Sequence, residues 1–158
     1  RLRRRIRSGV FEVSRDRAFP DVIVACARPR RNDPGTWITP SMVRAYVKLH
    51  REGHAHSVET WRDGRLAGGV YGVTVGGVFS AESMFHRETD ASKVALVALV
   101  EHLKARGFAL LDVQQDTPHS RRMGATAIPR AEFLRRLRRA VRLPVTFGDR
   151  LEQRLEEP

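Results

Sequence analysis

The stretch from His54 to Glu82, HAHSVETWRDGRLAGGVYGVTVGGVFSAE, decides the fold class. It holds three β-prone runs, His54 to Trp61, Arg65 to Val73 and Val78 to Glu82, broken at Asp63-Gly64 and at Gly76-Gly77. Asp-Gly and Gly-Gly pairs between such runs are hairpin signals, because they supply the positive φ that tight antiparallel turns need. Three consecutive antiparallel strands are therefore predicted.

Helical patterns flank this stretch. Upstream, Thr39-Pro40 opens a run in which Val43, Tyr46, Val47 and His50 share one face until Gly53. Thr caps a helix, and Pro suits its first position. Earlier still, a helix is predicted from an N-cap at Ser14 or Asp16 to Ala27, followed by a polar loop from Arg30 to Gly35. Downstream, Ala91 to Arg106 is the longest helical pattern, Phe108 to Val113 reads as a buried strand, and Ala131 to Val141 as a basic amphipathic helix. The order helix, helix, three strands, helix, strand, helix predicts one α+β domain with a mixed sheet flanked by helices.

The chain has 158 residues, 41% of them apolar, enough for one domain with its own core. Its single cysteine, Cys26, makes no internal disulfide, and no Cys/His spacing points to zinc. No apolar run approaches the roughly 20 residues that span a bilayer. A soluble, cytoplasmic protein is expected. The 29 Lys and Arg outnumber the 18 Asp and Glu, a net charge of +11 that favours a polyanion. The arginines cluster at Arg1, Arg3, Arg4, Arg5 and Arg7, and again at Arg135, Arg136, Arg138, Arg139 and Arg142. Both runs can clamp phosphates, and both can equally be solvated helix faces.

Three places carry chemistry. Glu82 stands at the end of an apolar strand, where a carboxylate must face water or hold a cation, since burying it unpaired is costly. Asp112 and Gln114 stand two residues apart in LLDVQ, so period two puts both on one strand face. An acid and an amide so placed can bind an amine and orient a carbonyl, or merely cap a neighbouring loop. Trp61 follows an alternating strand and can stack a nucleobase or anchor the core. His54 and His56 share a strand face but lack a third ligand, which favours solvated or core histidines over a metal site. Arg121 to Thr126, RRMGAT, is a near miss to the pyrophosphate loop of acyl-CoA acetyltransferases, displaced to follow the last strand.

Taken in order, Thr36-Trp37-Ile38-Thr39, Leu49 to Trp61 (LHREGHAHSVETW), Gly68-Gly69-Val70-Tyr71-Gly72, Glu82-Ser83-Met84-Phe85, Ala91-Ser92-Lys93, Leu111-Asp112-Val113-Gln114, Gly124-Ala125 and Ile128-Pro129-Arg130 closely resemble the leucyl/phenylalanyl-tRNA-protein transferase family. The resemblance covers about Arg1 to Val141, which is expected to be the catalytic domain, and leaves 142–158 as a variable tail. It departs from the family pattern at Ala81, where Gly is usual, and at Ala127, where Glu is common. Family members carry a further N-terminal segment with another Trp-bearing wall, and this chain is expected to begin after it.

The resemblance implies a core similar to the GCN5-related acetyltransferase fold, with a charged tRNA end in place of acetyl-CoA. It implies transfer of Leu or Phe, less well Met, from aminoacyl-tRNA to proteins that begin with Arg or Lys, marking them for degradation. The implied roles place Asp112 and Gln114 at the reacting centre and Glu82 on the acceptor's basic residue. Trp61 would meet the terminal adenosine. Val70, Phe79, Ser83, Met84 and Leu111 would bind the aminoacyl end. No cofactor and no metal are expected, no membrane partner, and a monomer. Two other classes stay open: transfer to a small metabolite, and a truncated, inactive RNA-binding module.

Overall fold

The computed structural model describes residues 2–29 and 35–152. The predicted loop from Arg30 to Gly35 lies, but for Gly35, outside the described residues, as do Arg1 and the side chain of Arg3. In chain order the elements are α1 (Leu2–Arg7), β1 (Glu12–Arg15), α2 (Phe19–Cys26), α3 (Pro40–Arg51), β2 (Ala55–Arg62), β3 (Arg65–Val75), β4 (Val78–His86), α4 (Ala91–Ala105), β5 (Leu110–Asp112), α5 (Pro118–Arg122) and α6 (Arg130–Ala140). The strands form one sheet in the order β1-β2-β3-β4-β5, antiparallel up to β4 and parallel between β4 and β5. No helix among the described residues is long and apolar enough to cross a membrane.

The predicted hairpins form where the turn chemistry put them. Asp63 and Gly64 both have positive φ, 50° and 71°, as a two-residue type I′ turn requires. Gly76 has φ 53°, and a Cβ there would stand 2.3 Å from the carbonyl oxygen of Val141, so the second turn also seats the end of α6. Thr39 caps α3 by accepting the Met42 N–H at 3.3 Å. The strands run two to four residues longer than predicted on β3 and β4, and α1, β1 and α5 are additional elements.

The expected N-cap at Ser14 or Asp16 is corrected. Ser14 lies in β1, and α2 begins at Phe19 with Ala18 at its N-cap position. Asp16 takes φ 52° and accepts the Ser57 N–H at 2.8 Å, which bends the chain from β1 into α2. A buried carboxylate locks the same corner: Glu59 accepts hydrogen bonds from Ser14 Oγ and Ser57 Oγ, both at 2.5 Å, and from the Ala18 N–H at 3.4 Å.

The sheet has two covered faces. On one, Phe19, Val22 and Ile23 of α2 pack with Ala55, Leu66 and Tyr71, and Tyr46 and Val47 of α3 close over them. On the other, Ala95, Ala98, Leu99 and Leu103 of α4 pack with Val58, Val70, Phe79 and Phe147. Phe147, 2% exposed, stacks on His56 and meets His102 edge-on, so the segment beyond α6 belongs to the same folded unit as far as Glu152. Alternation along β3 thus sends Val70 under α4 and Tyr71 under α2 and α3, while a register shift within β4 puts Phe79 under α4 and Phe85 on the opposite face.

Candidate active site

The site grows from an irregularity in β4. In the ladder with β3, Ala81 pairs with Gly72 and Ser83 with Tyr71, so Glu82 is an extra residue in a β-bulge. A bulge bends its strand and re-aims a side chain. Gly72 makes it possible, since a Cβ there would lie 2.2 Å from the Ser80 carbonyl oxygen. Glu82 stands four residues before the end of β4, not at its end, and turns toward α3.

There it meets hydroxyls, not a cation. The Tyr46 O–H donates to Glu82 Oε2 at 3.0 Å and the Ser80 O–H to Oε1 at 3.2 Å. Burial, with the charge and hydrogen bond of Glu82 added, pushes the Tyr46 phenol up to about 12. Tyr46 therefore stays a donor near neutral pH. Beneath it lies Tyr71, wholly buried, its O–H without a hydrogen-bond partner among the described residues and its titration raised by burial.

Asp112 and Gln114 join the same network in an unpredicted way. The pairing of β5 with β4 ends at Asp112 opposite Ser80, and Gln114 takes φ 59°. Period two therefore fails at this point. The Asp112 carboxylate accepts the Gln114 backbone N–H at 2.8 Å, the geometry of a side chain closing a tight turn. That turn brings the Gln114 amide to Ser80, where Nε2 donates to Oγ at 2.9 Å. A continuous chain of hydrogen bonds thus runs from Asp112 through Gln114, Ser80 and Glu82 to Tyr46. Past Ser80, β4 continues to His86 without β5, which ends at Asp112 two residues before Gln114.

The other expected residues lie elsewhere. Val70 and Phe79 are closed in the core beneath α4, at 2% and 0% exposure, and Met84 and Leu111 are half-buried at the rim of that cluster. Leu111 also lines a 190 Å³ cavity with Val100, Leu103, Phe108 and Leu110. Ser83 is half-buried beside Glu82. Trp61 is committed: its N–H donates to Ser14 Oγ at 2.7 Å and the Arg17 guanidinium lies 4.5 Å over its ring. Trp37, just before the cap of α3, is 50% exposed. His56 is buried against Asp16 and Phe147, and no group of His, Cys, Asp and Glu able to hold a metal occurs among the described residues. A wider concavity of 580 Å³ opens between Arg15, His56, Arg106 and Phe147 and contains none of the expected site residues.

Ser80 and Tyr46 are the members that the sequence reading missed. Ser80 was within reach, since period two puts it on the Glu82 face. Tyr46 was read as one more apolar residue of a helix face.

Comparison with known proteins shows what carries this arrangement. The fold resembles an aminoglycoside acetyltransferase from an uncultured soil metagenomic sample, with a TM-score of 0.58 at 13% identity over 77% of this chain and 91% of that one. It also resembles a ribosomal-protein-alanine N-acetyltransferase from Brucella melitensis, with a TM-score of 0.53 at 14% identity over 75% and 92%. The fold is thus like that of these acetyltransferases, as the resemblance implied. In sequence, the leucyl/phenylalanyl-tRNA–protein transferase of Thiobacillus denitrificans is 54% identical over 143 residues, 90% of this chain and 63% of that protein. That of Syntrophotalea carbinolica is 53% identical over 147 residues, 92% and 64%. The chain thus spans a little under two thirds of the length of these relatives. The profile of the same family matches residues 1–138, and with that extent and that identity the chain belongs to the leucyl/phenylalanyl-tRNA protein transferase family.

Proposed function

We propose that this chain carries the reacting centre of an aminoacyl transfer, in which Leu or Phe leaves the 3′ end of a charged tRNA for the N-terminal Arg or Lys of an acceptor protein, marking it for degradation. The observation that supports this best is the hydrogen-bonded chain from Asp112 to Tyr46 beside the end of β5. It joins a group suited to the reacting carbonyl and amine, Gln114, to a group suited to a basic acceptor, Glu82.

In the reaction the acceptor α-amine attacks the ester carbonyl. A C–N bond forms, the C–O bond to the ribose breaks, and the amine proton passes to the ribose oxygen. An ester is already activated, so positioning and charge stabilisation carry much of the rate. With its Nε2 committed to Ser80, Gln114 has its amide oxygen free to accept from the attacking amine. Asp112 fixes the turn that presents Gln114, and its negative charge favours the positive charge developing on nitrogen. Glu82, already aimed by Tyr46 and Ser80, takes the acceptor's guanidinium or ammonium as a charge-assisted partner.

The edge of β4 that runs on past the end of β5 gives the aminoacyl side chain its route to the α4 side, with Met84 and Leu111 at the rim, Val70 and Phe79 as the floor and Ser83 at the entrance. Trp61 is retained as a contact for the adenosine on the strength of the family resemblance, and the half-exposed Trp37 offers a freer indole face for the same stacking.

The test is transfer of labelled leucine from charged tRNA to an Arg-initiated peptide, in wild type and in Glu82→Gln. The substitution is expected to reduce transfer at least tenfold while leaving the binding of an aminoacyl-adenosine analogue intact. Parallel loss of both activities would place Glu82 in the fold or the donor site instead.

A further inference from the structure

We infer that the exposed arginine cluster at the end of α6, Arg138 and Arg139 on the helix and Arg142 just past it, receives the phosphates of the donor RNA's body; this rests on the aminoacyl-tRNA reading above. Between Arg130 and Arg142 there are six arginines and one glutamate. Glu132 is engaged by Arg135 and Arg136. Arg138, Arg139 and Arg142 are exposed and make no ion pair among the described residues.

Packing does not account for this face. Leu137 and Ala140 turn inward, and the Ala140 carbonyl accepts the Gly77 N–H at 2.8 Å, so the helix is held by its other side. Arg135 falls three and four residues before Arg138 and Arg139, spacings at which like charges destabilise a helix. The helix dipole favours cations in the last turn, which explains Arg138 and Arg139 but gives no reason for further ones alongside. A polyanion gives such a reason.

Topology selects the route. β5 is the edge strand, with Gln114 just past its end and α6 packed beside it. The far side of β4 is covered by β3, and the two sheet faces by α3 and α4. An RNA whose 3′ end reaches Gln114 therefore leaves across the β5 edge, where α6 lies. Positive charge also gathers at the start of that path on α5. There burial depresses the His119 titration, and the neighbouring Arg122, Lys93 and His86 add to the effect.

The test replaces Arg138, Arg139 and Arg142 together by Gln, which keeps helix propensity and removes the charge. Two readouts are compared: binding of labelled charged tRNA across a salt series, and transfer from charged tRNA against transfer from an aminoacyl-adenosine fragment. The slope of log affinity against log salt is expected to flatten by about 2 to 3, and affinity at physiological salt to fall at least tenfold. Transfer from the fragment should be unchanged. An unchanged salt slope overturns the inference, and so does an equal loss with the short donor. So does loss of binding to anionic phospholipid vesicles with tRNA binding intact, which would make the face a lipid contact. Absence of transfer by wild type from either donor would sink the transferase reading alone, since the salt slope still decides the surface.

Discussion

The two faces of β4 are built from the same nine residues and do opposite things. On the α3 side, Ser80 and Glu82 are half-buried and bonded to each other, Glu82 also accepting from Tyr46 and Ser80 from Gln114. On the α4 side, Phe79 is sealed among Val70, Leu99, Leu103 and Phe147. The family motifs place residues of both faces at one site. The structure separates them by the thickness of a sheet and joins them only where β5 stops at Asp112. One face is polar and half-open to solvent, and the other is closed core.

The sharpest way to break this comparison is Phe79→Ala. A closed aromatic lost from the core costs about 3–5 kcal/mol, read from urea denaturation as a lower midpoint with unchanged slope. A cost under about 1 kcal/mol would mean that the α4 side is loose enough to be an open pocket, and the contrast would collapse.

The polar face should answer in rate and hardly in stability. Gln114→Ala is expected to slow single-turnover transfer on the order of a hundredfold, with stability changed by less than about 0.5 kcal/mol because the side chain is exposed. Asp112→Asn keeps an oxygen for the Gln114 N–H and loses the charge, so a smaller loss is expected, about tenfold. Charged-tRNA affinity should hold in both, since interactions made only in the transition state show in the rate. The double variant should lose less than the product of the two, as residues acting through one turn are coupled. Wild-type rates in both single variants would leave the assignment without support.

What the sequence made legible follows the range of the forces involved. Thr39-Pro40, Asp63-Gly64 and Gly76-Gly77 act through their own backbone, and those features stand where they were predicted. β1 was missed because EVSR carries no strand pattern of its own; it becomes a strand by pairing with β2 and by the Ser14 bond to buried Glu59. Gln114 was placed by periodicity on a strand that had already ended, and only the Asp112 turn explains its direction. Glu82, expected at a strand end facing water or a cation, sits inside β4 against two hydroxyls, one 36 positions away on α3 and one two away on its own strand. Contacts of the first kind leave no trace in local pattern.

The smallest expected effect separates the two faces by pH. His102 on α4 is fully buried; its Nε2–H donates to the Phe147 carbonyl at 2.8 Å and its Nδ1 accepts the Glu152 N–H at 2.9 Å, an arrangement that only the neutral ring satisfies. Burial holds its titration below the ordinary value, Arg15 and Arg106 push the same way, and the Phe147 carbonyl opposes them. In the unfolded chain the ring binds a proton at about pH 6.5. The unfolded state therefore takes up more protons as pH falls below that value, and stability is full above it and lost progressively toward the lower folded value. Wild type should lose stability as pH falls below about 6.5. His102→Gln should be less stable at pH 7 but flatter over the same window, the remaining slope coming from His119, which burial and Arg122 also depress. Protonation also removes the acceptor of the Glu152 N–H, so protection of that amide against hydrogen exchange should fall first. The Tyr46 and Glu82 bond on the α3 side has a donor that titrates near 12 and should be untouched on its phenolic side. Equal slopes in wild type and His102→Gln would show that the α4 side is not where acid acts.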